Sequence, residues 1–263
     1  MLSRLTRPQA LAVCALPVVA LLATAVFAPL PFSVAQPGPT ANVLGENKGT
    51  PVITVSGAQP RKTSGQLRMT TIVATGPDAR ISLGDVLGNW FRTDRAVMPR
   101  DAVYPSGDTV KEIEKHNLAQ MRQSQDAATQ AALTYLGLKP GQVEVDLKLA
   151  DVGGPSAGLL FTLGIIDKLD GDGSGGDLTG GRTIAGTGTI DASGKVGAVG
   201  GVALKTQAAR RDGATVFLVP KAECADAKAE LPKGLRLVPV TTLKGAVDSL
   251  VALEKGKGTV PSC

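Results

Sequence analysis

Ser156 has the sequence surroundings of a serine nucleophile. It lies in Gly154-Pro155-Ser156-Ala157-Gly158, a tight turn between an alternating apolar strand and the apolar segment 159–169. We expect the serine in the first turn of a helix, where unpaired N–H groups and the positive end of the helix dipole would stabilise an oxyanion. The backbone around Gly154, Pro155 and Ala157 is the candidate oxyanion site. The alternative is a turn that only caps a helix.

The single histidine of the chain is not placed to act as the base for this serine. The string 154–158 fits G-x-S-x-G, the nucleophile elbow of α/β-hydrolases, but that fold needs an acid and then a histidine after the serine. His116 precedes Ser156 and lies among charged and polar neighbours, which indicates a surface position on a helix. A triad of the α/β-hydrolase kind is therefore excluded, and the base must be a different residue.

Lys205 is the candidate base, because its position in the sequence predicts burial. At about 100° per residue, Val202, Lys205 and Ala209 share one stripe of a helix, whereas Arg210 and Arg211 point elsewhere. Burial lowers the pKa of a lysine, and only the neutral amine accepts a proton from a hydroxyl group. The alternative is a lysine that extends along the surface to solvent, as such residues commonly do.

The serine and lysine motifs together resemble the proteolytic domain of Lon proteases. The motifs that carry the likeness are 154–158, Thr187-Gly188, Gly200-Gly201-Val-Ala-Leu-Lys205 and, upstream, Met121-Arg-Gln-Ser-Gln-Asp-Ala-Ala128. They occur in the order found in that family, and the likeness covers roughly residues 65–254. The resemblance implies the Lon proteolytic fold and a catalytic dyad of Ser156 and Lys205. It also implies that Thr187, 18 residues before the lysine, orients the amine with its hydroxyl group.

Two positions depart from the commoner string of that family. Val152-Gly153 stands where Lys-Asp is usual, and Thr189 stands where glutamate is usual. These changes affect the entrance of the site and leave the dyad intact. The Val/Gly version resembles the membrane-anchored, Lon-like proteases of Gram-positive bacteria. Members of that group often carry a PDZ domain between two halves, and this sequence leaves no room for one.

The N-terminal residues have the composition of a membrane anchor. Residues 1–9 contain Arg4 and Arg7, and residues 10–30 are almost wholly apolar, enough for one membrane-spanning helix. Basic residues before the span predict a cytoplasmic N-terminus and an extracytoplasmic remainder. The alternative is a cleaved signal peptide, because Ser33-Val34-Ala35 fits a small-residue cleavage site. The apolar segment is longer than a typical signal core, which favours the uncleaved anchor.

The rest of the chain is predicted to form a spacer, one domain and a tail. Residues 31–64, rich in proline, glycine and small polar residues, indicate an extracytoplasmic spacer with a short strand at 51–55. Residues 65–254 alternate strands with helices, which predicts an α/β domain with a mixed sheet and packed helices. Residues 255–263 are predicted to be a disordered tail. Cys224 and Cys263 are either a disulfide pair outside the cell or two free thiols.

Within the domain, the pattern is clearest for one long helix. The predicted strands are 67–73, 143–149, 182–190, 195–199, 215–219 and 235–240, and the predicted helices are 81–91, 110–136, 222–230 and 243–253. Thr109, with Glu112 three residues later, is the expected N-cap of the helix 110–136. The side chains expected to face the core from this helix are Leu118, Met121, Ala128 and Ala132. Residues 92–108 are expected to be irregular.

Composition and motifs exclude several other functions. Aromatic residues make up 3% of the chain and the basic residues behind its net charge of +5 are scattered, so no nucleic-acid surface is predicted. Ser193-Gly194-Lys195 lacks the earlier glycine and the following Ser/Thr of a phosphate-binding loop, so no ATPase module is predicted. The segment 170–177 alternates carboxylates like a calcium loop, but Gly181 stands where the last ligand is expected, which favours a flexible surface loop. No metal or cofactor is predicted.

These features predict an ATP-independent serine endopeptidase that is anchored in the membrane and faces the cell exterior. The expected partners are a polypeptide substrate and the membrane, and the resemblance adds a homo-hexamer, because the family commonly forms six-membered rings. Two other classes remain open. One is a non-catalytic binding or assembly protein on the same fold, and the other is an esterase or amidase that uses the same Ser–Lys dyad.

Overall fold

The computed structural model describes residues 6–104, 109–139, 141–149 and 154–263. Among these residues the α-helices are α1 Arg7–Phe27, α2 Leu83–Trp90, α3 Arg100–Val103, α4 Val110–Tyr135, α5 Gly158–Leu169, α6 Val202–Arg211, α7 Cys224–Ala229 and α8 Leu243–Lys255. The strands are β1 Phe32–Asn42, β2 Glu46–Asn47, β3 Thr50–Pro51, β4 Ile53–Ser56, β5 Gln66–Ala74, β6 Ala96–Pro99, β7 Glu144–Leu147, β8 Thr183–Gly186, β9 Thr189–Ile190, β10 Val196–Gly197, β11 Val216–Pro220 and β12 Arg236–Val240.

A mixed six-stranded sheet with helices on both faces confirms the predicted fold class. Its strand order is β12-β11-β8-β5-β1-β6, in which β5, β8, β11 and β12 run parallel and β1 runs antiparallel to both neighbours. One face packs with α4, α5 and α8, and the other with α6 and α7. Every residue of β11 is buried, as expected for a parallel strand covered on both faces. The sheet therefore separates the serine helix α5 from the lysine helix α6.

Helix α4 confirms the predicted long helix and its N-cap. The backbone N–H of Glu112 donates to the Thr109 hydroxyl oxygen at 3.3 Å. Met121, Ala128 and Ala132 are buried as predicted. The prediction for Leu118 is wrong, because this side chain is 57% exposed. Burial on α4 begins only at Met121, where the helix starts to pack on α5, so periodicity alone extended the apolar face too far towards the N-terminus.

The prediction of a spacer over residues 31–64 is wrong for most of that segment. Strand β1 lies inside the central sheet between β5 and β6, and β4 pairs antiparallel with β7. The residues that suggested a spacer, Pro37-Gly38-Pro39, coincide with a shift of register in the β1–β5 ladder, between Pro37 and Thr40. Prolines are tolerated in a strand at such an irregularity, because the ladder needs no N–H there. The folded domain therefore begins at Phe32 and not near residue 65.

Two further segments are more ordered than predicted. Residues 92–104, expected to be irregular, contain β6 and α3, whereas 105–108 lie outside the described residues. The tail is held at its end by a disulfide between Cys224 and Cys263, whose Cα atoms are 5.4 Å apart, and Val260 packs on the core. The expectation of a disordered tail is therefore wrong. The sequence left the formation of this disulfide undecided, and the cross-link to α7 fixes the end of the chain.

Nearly all of the described side chains of helix α1 are exposed. None of its apolar window, Arg7–Thr24, is buried against the rest of the protein. By length and composition it is able to cross a membrane, and an N-terminal signal sequence has the same properties. A helix with apolar side chains all round is typical of a segment that is buried in a protein or in a membrane.

Candidate active site

Ser156 lies in a single turn of 3-10 helix, Pro155–Ala157, that leads directly into α5. Its side chain is half-buried, whereas the following residues of α5 through Asp167 are buried. Gly154 precedes the turn with φ 89° and ψ 161°, a conformation that favours glycine. The predicted position of the serine at a helix start is confirmed. The preceding residues of the motif, 151–153, lie outside the described residues.

The serine turn is fixed by hydrogen bonds from two sides. On one side, the Ser124 hydroxyl of α4 donates to the Pro155 carbonyl at 3.0 Å, and the Gly154 N–H donates to the Asn117 carbonyl at 3.3 Å. On the other side, the Gly188 N–H donates to the Ser156 carbonyl at 3.0 Å. A Cβ at Gly158 would lie 2.9 Å from the Ser124 hydroxyl oxygen, which explains a glycine at this position. The turn is therefore held between α4 and the segment that joins β8 to β9.

Lys205 is buried, so the interpretation of a solvent-extended lysine is wrong. Its side chain is 3% exposed, and Val202 and Ala209 on the same stripe of α6 are fully buried. The Lys205 amine donates to the Thr187 hydroxyl oxygen at 3.1 Å. That hydroxyl group donates in turn to the Ser156 carbonyl at 3.3 Å. The structure thus brings the three predicted residues together, with the Thr187 hydroxyl between the lysine amine and the serine backbone.

The surroundings of Lys205 favour its neutral form. Burial lowers the pKa of the amine to about 8, and the Glu223 carboxylate opposes part of this shift. With this pKa, about a tenth of the amines are neutral at pH 7, compared with fewer than about one in a thousand for an unperturbed lysine. A neutral amine accepts a proton and the resulting ammonium donates it, so the group is suited to general acid–base catalysis near neutral pH.

The N-terminus of α6 is held by a carboxylate that the sequence did not reveal. Asp226 on α7 accepts hydrogen bonds from the N–H groups of Val202 and Ala203, at 3.1 and 3.4 Å. The N-cap residue of the helix is Gly201, with φ 68°, which has no side chain to cap the helix. The cap is therefore supplied from a different element. Because Asp226 is distant in the sequence, no local capping motif marks it.

A cleft of about 380 Å³ adjoins the serine turn. It lies between α4 and the β9–β10 hairpin, and its lining includes Gln120, Gln123, Pro155, Thr189 and Asp191. Thr189 is the residue at which the chain departs from the commoner family string, and the structure places it in this lining. The glutamine residues were not among the predicted site residues. Their i, i+3 spacing puts them on one face of α4, but that pattern alone is typical of any solvent-facing helix.

The described residues contain no group of three or more His, Cys, Asp or Glu side chains that could hold a metal ion. In the segment considered for calcium, the Asp172 carboxylate accepts hydrogen bonds from the Ser174 hydroxyl at 2.6 Å and the Gly176 N–H at 2.7 Å. It also forms an ion pair with Lys255 at 3.0 Å. Protein donors therefore satisfy this carboxylate. His116 is exposed, as predicted.

Comparison with known proteins places this geometry in a family. The profile of the Lon protease (S16) C-terminal proteolytic domain matches residues 109–252, more than half of the chain. The chain belongs to this family. The matched range contains Ser156, Thr187 and Lys205 and most of α4 to α8, so the resemblance seen in the sequence is confirmed. Membership in the Lon family supports a serine protease activity for this domain.

Comparison with an individual protein supports the same assignment. Lon protease 1 of Myxococcus xanthus is 29% identical over 145 residues, which is 49% of this chain and 17% of the relative. The match therefore spans about a sixth of the length of that protease. Strands β1, β5 and β6 precede the residues of the Lon family profile, yet they form half of the central sheet.

Proposed function

We propose that this chain is an ATP-independent serine endopeptidase with a Ser156–Lys205 dyad, anchored in the membrane with its domain outside the cell. The observation that carries the proposal is the chain of contacts from the buried Lys205 amine through the Thr187 hydroxyl to the Ser156 carbonyl. A lysine without a salt bridge is costly to bury unless it is neutral, and a neutral amine beside a helix-start serine is suited to activate it.

In this mechanism the Ser156 hydroxyl attacks the carbonyl carbon of the scissile peptide, and neutral Lys205 takes its proton. The ammonium then donates that proton to the departing amine, leaving an acyl group on Ser156. A water molecule, deprotonated by the same amine, hydrolyses the acyl-enzyme. Thr187 acts as a positioning residue that holds the amine near the serine turn.

The oxyanion would be bound by backbone N–H groups at the start of the serine helix. Of the three predicted positions, Pro155 carries no N–H, and the Gly154 N–H already donates to Asn117. The N–H groups of Ser156 and Ala157 lie in the first helical turn, where intrahelical acceptors are lacking. We therefore assign the developing negative charge to these two donors, with Gly154 and Pro155 setting the shape of the turn.

The anchor is favoured over a cleaved signal peptide by the position of the candidate cleavage site. Ser33-Val34-Ala35 lies inside β1, and both Ser33 and Ala35 are fully buried. Cleavage after Ala35 would remove Phe32–Ala35, the residues of β1 that pair with β6. Arg4 and Arg7 before the span favour the extracytoplasmic side for the domain. A homo-hexamer is part of the proposal through the family resemblance.

The substrate is proposed to be a polypeptide that lies along the serine turn. The cleft between α4 and the β9–β10 hairpin has room for a substrate side chain beside the scissile bond. Its lining combines apolar residues, among them Pro155 and Ile190, with polar ones such as Gln120, so it suits a side chain that has both apolar and polar atoms.

The decisive experiment is cleavage of an unstructured protein by the full chain in detergent micelles, without ATP, with fragments followed by mass spectrometry. We expect cleavage by the parent chain and by a Ser56→Ala control, which changes an exposed serine at the end of β4. We expect none by Ser156→Ala. Cleavage by Ser156→Ala would contradict the dyad. Turnover of small esters by the parent without peptide cleavage would identify an esterase, and inactivity towards both would favour a binding protein.

Thr187→Val should lower kcat for peptide cleavage by about 10- to 100-fold with little change in KM. Valine keeps the shape of threonine but removes the hydroxyl between Lys205 and the Ser156 carbonyl, and hydrogen bonds to charged groups contribute about 1.5–3 kcal/mol. Steady-state kinetics on a fluorogenic peptide would measure the effect. Thr187→Ser restores the hydroxyl and should recover most of the activity. A kcat unchanged in Thr187→Val would remove Thr187 from the mechanism.

A further inference from the structure

Helix α2 presents an apolar face to solvent. Leu87 is 54% exposed, Trp90 63% and Phe91, the residue after the helix, 84%. On the same exposed face lie Gly84 and Gly88, so positions 84, 87, 88 and 91 form a surface without a charged side chain. A surface helix of a soluble domain normally turns polar residues outward. Here the only buried residue of the helix is Val86, and the apolar face is left uncovered.

The exposed apolar side chains of α2 belong to a well-formed helix and not to a frayed segment. Ser82 and Asp85 form a reciprocal capping box, in which the Asp85 N–H donates to the Ser82 hydroxyl oxygen at 3.2 Å. The Ser82 N–H donates back to the Asp85 carboxylate at 2.9 Å. These bonds fix the start of α2 and the direction of its side chains.

The apolar face lies where the candidate membrane span ends. Helix α2 packs against α1, and the Leu30 N–H, three residues after α1, donates to the Ile81 carbonyl at 2.7 Å. Phe27, the last residue of α1, is 81% exposed. The uncovered side chains of α2 are therefore continuous with an apolar helix whose window, Arg7–Thr24, is not buried in the protein.

We propose that α2 is an interfacial helix, which inserts Leu87, Trp90 and Phe91 into the bilayer surface beside α1. This inference rests on the proposed membrane anchor. Tryptophan and phenylalanine on a helix at the end of a span are typical of the boundary between headgroups and acyl chains. Arg92, next to the patch, is paired with Asp94 at 2.8 Å, so the insertion that we propose relies on the apolar side chains.

The test uses Trp90, the only tryptophan of the chain, as its own probe. The full chain is reconstituted into phosphatidylcholine vesicles, with acyl chains brominated near the headgroup in one preparation and unbrominated in another. We expect a blue-shifted Trp90 emission that loses intensity with the brominated lipid and resists quenching by aqueous iodide. Leu87→Ser combined with Phe91→Ser should restore iodide quenching.

A matched control places the probe at the far edge of the sheet. In Trp90→Phe with Leu231→Trp, the tryptophan precedes β12, at the opposite edge of the sheet from β6, at a position 39% exposed. Its emission should be quenched by iodide and not by brominated lipid. An equal response from both probes would contradict a specific interfacial role for α2.

Flotation of the same vesicles separates this inference from the anchor. A chain that does not float with the vesicles overturns the anchor and the interfacial helix together. A chain that floats while iodide quenches Trp90 overturns the interfacial helix alone. If Trp90 is shielded from iodide but insensitive to brominated lipid, a second copy of the chain covers α2 and the proposal is wrong.

Discussion

Lys205→Met is expected to lower kcat/KM for peptide cleavage by about 100- to 10,000-fold, the range that general-base catalysis contributes. Methionine has a similar length and no amine, so it fills the buried position on α6 without providing a proton acceptor. Lys205→Arg should be similarly inactive, because a guanidinium keeps the charge but is not deprotonated near neutral pH. Steady-state kinetics on one peptide would measure both variants beside the parent chain.

The pH dependence of the parent enzyme provides a second test of the same base. Because burial lowers the pKa of Lys205 to about 8, kcat/KM should rise with pH and level off above that value. Each pH unit below it should cost about tenfold in rate, since the neutral fraction falls in that proportion. Glu223→Gln removes the negative charge that raises the pKa of Lys205, so the rising limb of the pH profile of this variant should move to lower pH. A limb that Glu223→Gln does not move would contradict this electrostatic arrangement.

Loss of activity in Lys205→Met should not come with loss of stability. The folded pKa of Lys205 lies below its unfolded value of 10.5, so its stability contribution is complete above pH 10.5 and is lost as pH falls towards 8. At pH 7 the buried ammonium therefore costs up to about 3 kcal/mol, which the methionine variant avoids. Urea unfolding at pH 7 should show a variant at least as stable as the parent. A clearly less stable variant would leave the kinetic result open to a structural explanation.

Asp167→Asn is expected to stabilise the protein at pH 7.5 by up to about 3 kcal/mol. Asp167 is fully buried near the end of α5, and burial, with a smaller contribution from Asp177, raises its pKa to about 6. One carboxylate oxygen accepts from the Leu178 N–H at 2.8 Å, whereas the other has no hydrogen-bond partner among the described residues. Arg61 is 4.0 Å away, too far for a strong pair. The ionised carboxylate is therefore poorly compensated.

The sign of the Asp167 effect follows from linkage. Its folded pKa of about 6 exceeds the unfolded value of 3.8, so the folded state holds its proton more tightly. Stability contributed by this group is complete below pH 3.8 and is lost as pH rises through 6, by about 1.4 kcal/mol for each pH unit between the two pKa values. Asparagine keeps a neutral acceptor for the Leu178 N–H and does not titrate. Its advantage should therefore be absent at pH 4 and largest above pH 7.

Urea unfolding of the full chain in detergent micelles, at pH 4.0 and 7.5, would measure the Asp167 effect. Asp146→Asn is the matched control, because Asp146 is an exposed partner of Lys148 and its change should alter stability by no more than about 0.5 kcal/mol. If Asp167→Asn destabilises the protein equally at both pH values, the carboxylate is held by contacts that an amide does not reproduce.

The positions of the two candidate catalytic residues were predictable because their signals are local. Ser156 lies in a turn whose glycine and proline residues determine its shape, and Lys205 lies on a helical stripe that predicts burial. The Thr187 contact followed from the family resemblance. By contrast, Asp226 caps α6 across a gap of more than twenty residues, and Gln120 lines the cleft only because α4 packs beside the serine turn. Such contacts depend on the tertiary fold and leave no periodic pattern in the sequence.

The fold prediction was wrong where it relied on the local features of a segment and not on the distant residues that pair with it. Pro37-Gly38-Pro39 is typical of a linker, but a Cβ at Gly38 would lie 2.9 Å from the Thr71 carbonyl oxygen. The glycine therefore permits close approach of two paired strands, and the segment belongs to the sheet. Residues 255–263 were predicted to be disordered because they are terminal, and the disulfide to Cys224 fixes them instead. Pairing partners that lie far apart in the sequence decided both cases.

With α1 as the proposed membrane anchor, the entry of the chain into the sheet at Phe32 would limit how far the domain can reach from the membrane. Only residues 28–31 separate the end of α1 from β1, a distance of roughly 18 Å even when fully extended. The hydrogen bond from Leu30 to Ile81 shortens that tether further. With α1 in a bilayer, Ser156 is held at a nearly constant height above the lipid. For a substrate anchored in the same membrane, the enzyme would cleave only peptide bonds that lie within a small range of distances from the membrane surface.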